Sequence, residues 1–254
     1  MLKINFLKFT KYISGYKKMI LTIHQPEYLP WMGFFNKLSY ADVYVALDNV
    51  QYRHKYFQNR NKILTSNGEC WLNVPVYRKG NRDIFIQDIK INNIINWRDK
   101  TWKNIYYSYK KAPYFKQYSD YFENVYSTEW ENLVDLNLDI IENICKFLNF
   151  KVDIVKASDL NIDGIGPELI LDVCKLFKPD VYISGQSGIG GRGEDIDGNF
   201  EKEDIKVIYQ NFKHPEYTTI CKEFVPFMSI IDLLFNHGDD TINILKGDGG
   251  WYNA

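Results

Sequence analysis

His24 and Gln25 carry the first side chains in this sequence placed to do chemistry. Residues 24–36 read HQPEYLPWMGFFN and follow directly on the apolar run Met19-Ile20-Leu21-Thr22-Ile23. A histidine titrates near neutrality, so His24 could act as a general acid or base; it could equally cap a backbone carbonyl. The same grammar, an apolar run and then polar residues, recurs in Leu47-Asp48-Asn49-Val50-Gln51 and in Ile183-Ser184-Gly185-Gln186. Asp48 could orient His24, accept a substrate proton or bind a hydroxyl, or simply cap the turn before Asn49. Ligands of open α/β sheets bind beyond the carboxyl ends of the strands. If these three runs are strands, they are expected to build one polar pocket walled by Tyr28, Trp31 and Tyr52, with the prolines fixing the loop that carries His24 and Gln25.

Other clusters could serve the same pocket. Gln58-Asn59-Arg60-Asn61-Lys62 offers amide donors beside an arginine fork suited to phosphate or carboxylate, enough to hold a nucleotide diphosphate; the alternative is a solvated surface strand or loop. His214 and Tyr217, in FKHPEY, could reach the pocket or belong to a turn set by Pro215. Asp232 interrupts an apolar helix and, if buried, must be hydrogen-bonded. The stretch GQSGIGGRGEDIDGN lacks the P-loop spacing and fails the nucleophile elbow, since Ile189 stands where its last glycine belongs. It is expected to be a lid-like loop. Glu194, Asp195 and Asp197 do not meet a calcium-loop pattern, and no metal or cofactor set is expected.

These residues need a scaffold. Strands are expected at 20–24, 42–48, 71–77, 84–91, 151–157, 180–184 and 205–212, with a turn at Lys79-Gly80-Asn81-Arg82. Helices are expected at 31–39 (Pro30 in its first turn), 97–111, 114–126, 130–148, 166–177 and 229–236. In the fourth of these, Leu133, Leu136, Ile140, Ile144 and Leu148 form a helical core stripe. Alternating strands and helices predict an α/β fold, a mostly parallel sheet flanked by helices, with the helical stretch 97–148 as a subdomain or lid. Residues 1–18 read as an extension before a single domain spanning 19–254, and Met19 could itself be the start.

Composition narrows the class. The chain has 254 residues, 45% hydrophobic and 25% charged, with 31 basic against 32 acidic residues. That balance gives no overall pull towards DNA or an anionic membrane. The basic, amphipathic start lacks the apolar core and cleavage site of a secretory signal, and no stretch is long enough to span a membrane. Four scattered cysteines, Cys70, Cys145, Cys174 and Cys221, suggest neither disulfides nor zinc, and Cys145 and Cys174 sit among apolar residues. A reducing cytoplasm is the expected location.

Taken together, IHQPEYLPWMGFFNKLSYADVYVALDNVQY, QNRNKI, WLNVPV, YKKAPYF, YISG, FKHPEY and FVPFMSIIDLLFNHG resemble the WbqC-like protein family. The resemblance runs from about Met19 to Gly238. It touches His24, Gln25, Tyr28, Trp31, Lys37, Asp48, Gln51, Asn59, Arg60, Ser184, Gly185, His214, Tyr217, Asp232 and Asn236. One departure stands out: where many relatives carry a Lys-His pair after Trp97, here Lys100 is followed by Thr101. The resemblance implies a role in O-antigen or other surface-polysaccharide biosynthesis. The expected activity is transfer of glycine or another small acyl group to the amino group of a nucleotide-linked amino sugar. His24 and Asp48 would be catalytic. Gln25, Tyr28, Trp31, Gln51, Tyr52, Asn59, Arg60, Lys62, Ser184, Gly185, His214 and Tyr217 would bind substrate. The acyl donor is left open, because free glycine would need ATP and no ATP motif is present; a thioester or aminoacyl-tRNA would not. The alternatives are a non-catalytic nucleotide-sugar-binding scaffold and a glycosyl- or methyltransferase. The methyltransferase would need a glycine-rich turn where His24-Gln25-Pro26 stands.

Overall fold

The computed structural model describes residues 18–77, 84–162, 164–185, 196–221, 223–247 and 251–253. The extension, the turn at 79–82 and most of the glycine-rich stretch, with Gln186, Ile189, Glu194 and Asp195, lie outside the described residues.

Six strands form one sheet in the order β5-β2-β1-β6-β7-β8. They are β1 (Ile20–His24), β2 (Val43–Ala46), β5 (Asp153–Lys156), β6 (Val181–Ser184), β7 (Lys206–Gln210) and β8 (Trp251–Asn253). The first five run parallel, and β8 pairs antiparallel with β7. The strands are apolar on both faces because both faces are covered. In β2, Val43 and Val45 join one core with Leu21 and Ile23, whereas Tyr44 and Ala46 join the other.

Numbered by themselves, the five parallel strands lie in the order 3-2-1-4-5, that of a doubly wound sheet. The chain steps outward from β1 through β2 to β5, then crosses to β6 on the other flank and continues to β7. The winding therefore reverses between β1 and β6, the switch point at which doubly wound sheets open a ligand crevice. Thr22 pairs with Ile183. Continued by two residues, that register sets His24 beside Gly185.

On one face pack α5 (Pro167–Phe177) and α6 (Ile196–Glu201), with Leu169, Val173, Cys174 and Phe200 in the core. The other face carries α1 (Met32–Leu38), α2 (Trp97–Tyr109), α3 (Phe115–Ser127), α4 (Leu133–Phe147), α7 (Ile230–His237) and the hairpin β3–β4 (Arg60–Thr65, Gly68–Asn73) in one larger core. The α4 stripe is buried as its spacing predicts. Burial pushes the Cys145 and Cys174 thiols up to about 12, and neither forms a disulfide.

Several expectations shift. The apolar stretch 84–91 is not a strand. Ile86 and Ile89, three apart, are both buried, and the chain makes a tight turn at Ile86–Asp88. Pro30 precedes the helix cap, Trp31, rather than sitting in the first turn. The strand expected at 71–77 ends at Asn73, short of Pro75, and its hairpin partner β3 arises from the amide-rich QNRNK run. Residues past Gly238 add α8 (Thr241–Lys246) and β8, which the sequence reading does not include.

A candidate active site at the carboxyl end of β1

The end of β1 delivers His24 to the crevice with its side chain about one-third exposed. Both ring nitrogens are engaged. Nε2 lies 3.2 Å from Glu27 Oε1 and Nδ1 lies 3.1 Å from Lys37 Nζ. Lys37 also donates to the Ile23 carbonyl at 3.4 Å. The ring packs edge-on against Phe34, and Tyr44 donates its hydroxyl proton to the His24 carbonyl. A carboxylate, an imidazole and an amine are thus strung in line, with only the middle member open to the crevice.

The environment tunes all three. Glu27 and Lys37 are buried. Burial holds the Lys37 ammonium down to about 8 against the opposing pull of Glu27. Burial and the Lys37 charge lower the His24 value, offset in part by Glu27, so His24 is neutral at pH 7. The second Glu27 oxygen, Oε2, is buried without a hydrogen-bond partner among the described residues.

This pairing has a consequence for folding. The unfolded chain keeps an ordinary lysine value near 10.4, while the folded chain releases the Lys37 proton near 8. Between those values the unfolded state binds more protons, so stability rises with pH. The full gain is about 3 kcal/mol. Urea unfolding at pH 8 and 9.5 is expected to show a rising midpoint in the wild type and a flatter profile in Lys37→Met. Equal profiles would refute the buried amine.

The loop that holds Glu27 under the ring is clamped by amides. Asn61 Nδ2 donates to the Tyr28 and Leu29 carbonyls, and Asn137 Nδ2 donates to those of Pro26 and Gln58. Leu29 adopts a positive φ of 45°. A non-glycine residue held there costs roughly 1–3 kcal/mol and persists only where its surroundings over-determine it. The Gln58 amide donates to Gln25 Oε1 at 2.7 Å. That contact uses the Gln25 acceptor and leaves its Nε2 donor without a partner among the described residues.

The residues expected from sequence divide into groups. His24, Gln25, Ser184 and Gly185 fall at the adjoining ends of β1 and β6. Asp48 is buried, and both of its oxygens accept from Ser158, at 2.9 Å from the backbone N–H and 2.6 Å from the hydroxyl. The carboxylate on the His24 ring is Glu27. Tyr28 is fully buried and bonded to Tyr126 at 2.7 Å, so it cannot wall a pocket. Tyr52 is buried too. Gln51 is exposed and bridges to Phe85. Asn59 clamps the hairpin through Asn73 and Val74. Arg60 and Lys62 reach Trp71 instead, with the guanidinium 4.4 Å from the ring centre.

Trp31 and His214 do meet, as nearly parallel rings 6.4 Å apart. Trp31 lies so close over Gly33 that any Cβ there would collide with its ring. Both His214 nitrogens are spent on backbone, Nδ1 on the Pro215 carbonyl and Nε2 on the Phe227 N–H. Tyr217 donates to Asp232 at 2.8 Å, and Tyr109 donates to its other oxygen at 2.6 Å. An open cleft of about 470 Å³ lies on that side, lined by Glu216, Tyr217, Thr218, Phe224, His237, Asp240 and Ile244. No hydrogen bond or ring contact among the described residues joins the His214 group to the His24 trio.

The trio's missing members had sequence signals. Lys37 sits three residues after Phe34 and one before Leu38, inside an apolar helix face. Glu27 sits between two prolines.

The model of the WbqC-like protein family matches residues 25–244. The chain is 28% identical over 228 residues to the uncharacterized protein Rv1507c of Mycobacterium tuberculosis, covering 89% of this chain and 97% of that one. No solved structure matches.

Proposed function

This chain belongs to the WbqC-like protein family, and from that premise we propose that it forms an amide on an amino sugar of surface-polysaccharide biosynthesis. The acceptor would be a nucleotide-linked amino sugar and the group transferred glycine or another small acyl unit. The observation that carries the reading is the Glu27–His24–Lys37 trio at the switch between β1 and β6.

The trio suits deprotonation of an ammonium. While Lys37 is charged, it donates to Nδ1, and the ring proton sits on Nε2 facing Glu27. Once Lys37 is neutral, the ring proton can move to Nδ1, and Nε2 presents a lone pair beside the Glu27 carboxylate. A substrate ammonium donating to Nε2 would bring its charge beside the buried Glu27 carboxylate, and His24 would take its proton. The freed amine then attacks the donor carbonyl. The open Nε2 donor of Gln25 and the backbone at Gly185 are the groups nearest to hand for the resulting oxyanion. Asp48, tied to Ser158, would hold the β2 end rather than touch substrate.

The test is to incubate the protein with nucleotide-linked amino sugars and a panel of glycyl and acyl donors, and to weigh the products by mass spectrometry. A mass gain on the sugar by one acyl unit is expected. Tight sugar-nucleotide binding with no gain from any donor would favour the scaffold reading.

A further inference from the structure

Charge on this chain is sorted by segment. Residues 51–77 and 97–111 carry nine of the 31 basic residues and two of the 32 acidic ones, leaving 22 against 30 for the rest. The two segments are packed together: the Leu64 N–H donates to the Tyr109 hydroxyl at 3.2 Å, and Asn104 Nδ2 approaches Cys70 Sγ, next to Trp71, at 4.0 Å. Helical spacing puts Lys100 and Tyr107 on the Asn104 side of α2, Lys111 lies in the turn just past its end, and all three are exposed.

Aromatic rings alternate with these cations. Trp71, 45% exposed, lies under the Arg60 guanidinium and nearly parallel to Phe57. Arg53 lies over Tyr56, and Lys110 over Tyr107. Lys62 pairs with Glu69, Lys103 with Asp99 and Arg98 with Glu129. Arg53, Lys55, Lys100, Lys110 and Lys111 have no carboxylate partner among the described residues. The platform also adjoins the trio. Phe57 accepts from the Tyr28 N–H, and its neighbour Gln58 holds Gln25.

Resting on the amide-forming reading above, we propose that this face binds the single-stranded 3′ end of an aminoacylated RNA, the acyl donor. Stacked rings take unpaired bases, and interleaved cations follow a phosphate backbone. Arg60 and Lys62, expected from sequence to hold the acceptor's diphosphate, would serve the donor. The chemistry balances without ATP. The sugar ammonium first releases one proton through His24 to solvent; the neutral amine's nitrogen then forms a bond to the ester carbonyl and passes a second proton to His24, and the bond from that carbonyl to the ribose oxygen breaks. The ribose oxygen leaves with the proton returned from His24.

The probes are a short single-stranded RNA ending in CCA and a tRNA transcript, with the nucleotide-linked amino sugar as comparison, titrated against the wild type, Trp71→Ala and Lys100→Ala/Lys111→Ala. Both RNAs are expected to bind. Trp71→Ala should weaken them about 5- to 150-fold, the worth of one stacked base. The double variant should flatten the salt dependence by about 0.7 per lysine that meets a phosphate. No RNA binding, equal binding by all three proteins, or a Trp71 effect confined to the nucleotide sugar would each overturn the proposal. A parallel assay with a glycyl thioester separates the two ideas. Acylation from the thioester without RNA binding sinks the donor assignment alone. Trp71-dependent RNA binding without acylation from the thioester or from an aminoacylated form of the same tRNA sinks the amide-forming reading and the donor role with it, and leaves only an RNA-binding face.

Discussion

His24→Ala is expected to lower kcat for amide formation by about 10²- to 10⁴-fold, the range for loss of a positioned acid–base group. Folding should survive, because the ring is partly exposed and bonds only side chains. The companion variants sharpen the result. Glu27→Gln keeps the shape but removes the charge facing Nε2, and should slow the reaction as well. Lys37→Met should abolish the rise in rate that the trio predicts as pH climbs through about 8. That sign follows from the chemistry, since the base becomes available when the amine loses its proton. A rate in His24→Ala within a few-fold of wild type would remove the imidazole from the reaction.

Asp232→Ala is expected to destabilise the fold by about 2–6 kcal/mol, because it strands two buried hydroxyls at roughly 1–3 kcal/mol each. In thermal unfolding of a chain this size, that is a loss of about 4–24 °C. The carboxylate joins Tyr109 of α2 to Tyr217, and Tyr109 in turn accepts from Leu64 of β3. Burial pushes the Asp232 carboxyl up, while the two tyrosine hydrogen bonds pull it down. Tyr217→Phe removes one bond and should cost less than Asp232→Ala. A melting temperature unchanged in Asp232→Ala would show that the cluster does not hold these elements together. Catalysis in the surviving folded fraction should be normal, as Asp232 has no contact with the trio.

Much of the scaffold is legible because its signals are local. The run before His24 is apolar on both faces and short, so it reads as a buried parallel strand, and the α4 stripe is set by its own spacing. The fate of the QNRNK run was partly visible too. Asn59, Asn61 and Ile63 alternate with Arg60 and Lys62, and in the structure the first set is buried. An alternation of amides reads as polarity, however, unless the carbonyls they clamp are known. Those that Asn61 clamps belong to a loop over 30 residues earlier, and the one that Asn59 clamps is that of Val74. The partner of His24 was hidden for the same reason. Asp48 closes the strand-like run 42–48, yet its carboxylate turns to Ser158, 110 residues on. Glu27 reaches the ring from three residues on, in a loop whose Leu29 holds a positive φ that leucine seldom takes. In the stretch 84–91, hydrophobicity without strict period two could not separate a strand from a turn anchored by Ile86 and Ile89.

The trio can be tested without knowing any substrate. Nitrogen-15 and carbon-13 NMR would follow the His24 ring nitrogens and the Lys37 Cε from pH 5 to 11, with His24→Gln and Lys37→Arg supplying the assignments. The coupled trio predicts a lysine titrating near 8 and a histidine titrating below its ordinary value of about 6.5. It also predicts a His24 tautomer that changes as Lys37 titrates, an effect disturbed in Glu27→Gln. A lysine at its ordinary value and a histidine indifferent to it would contradict the account.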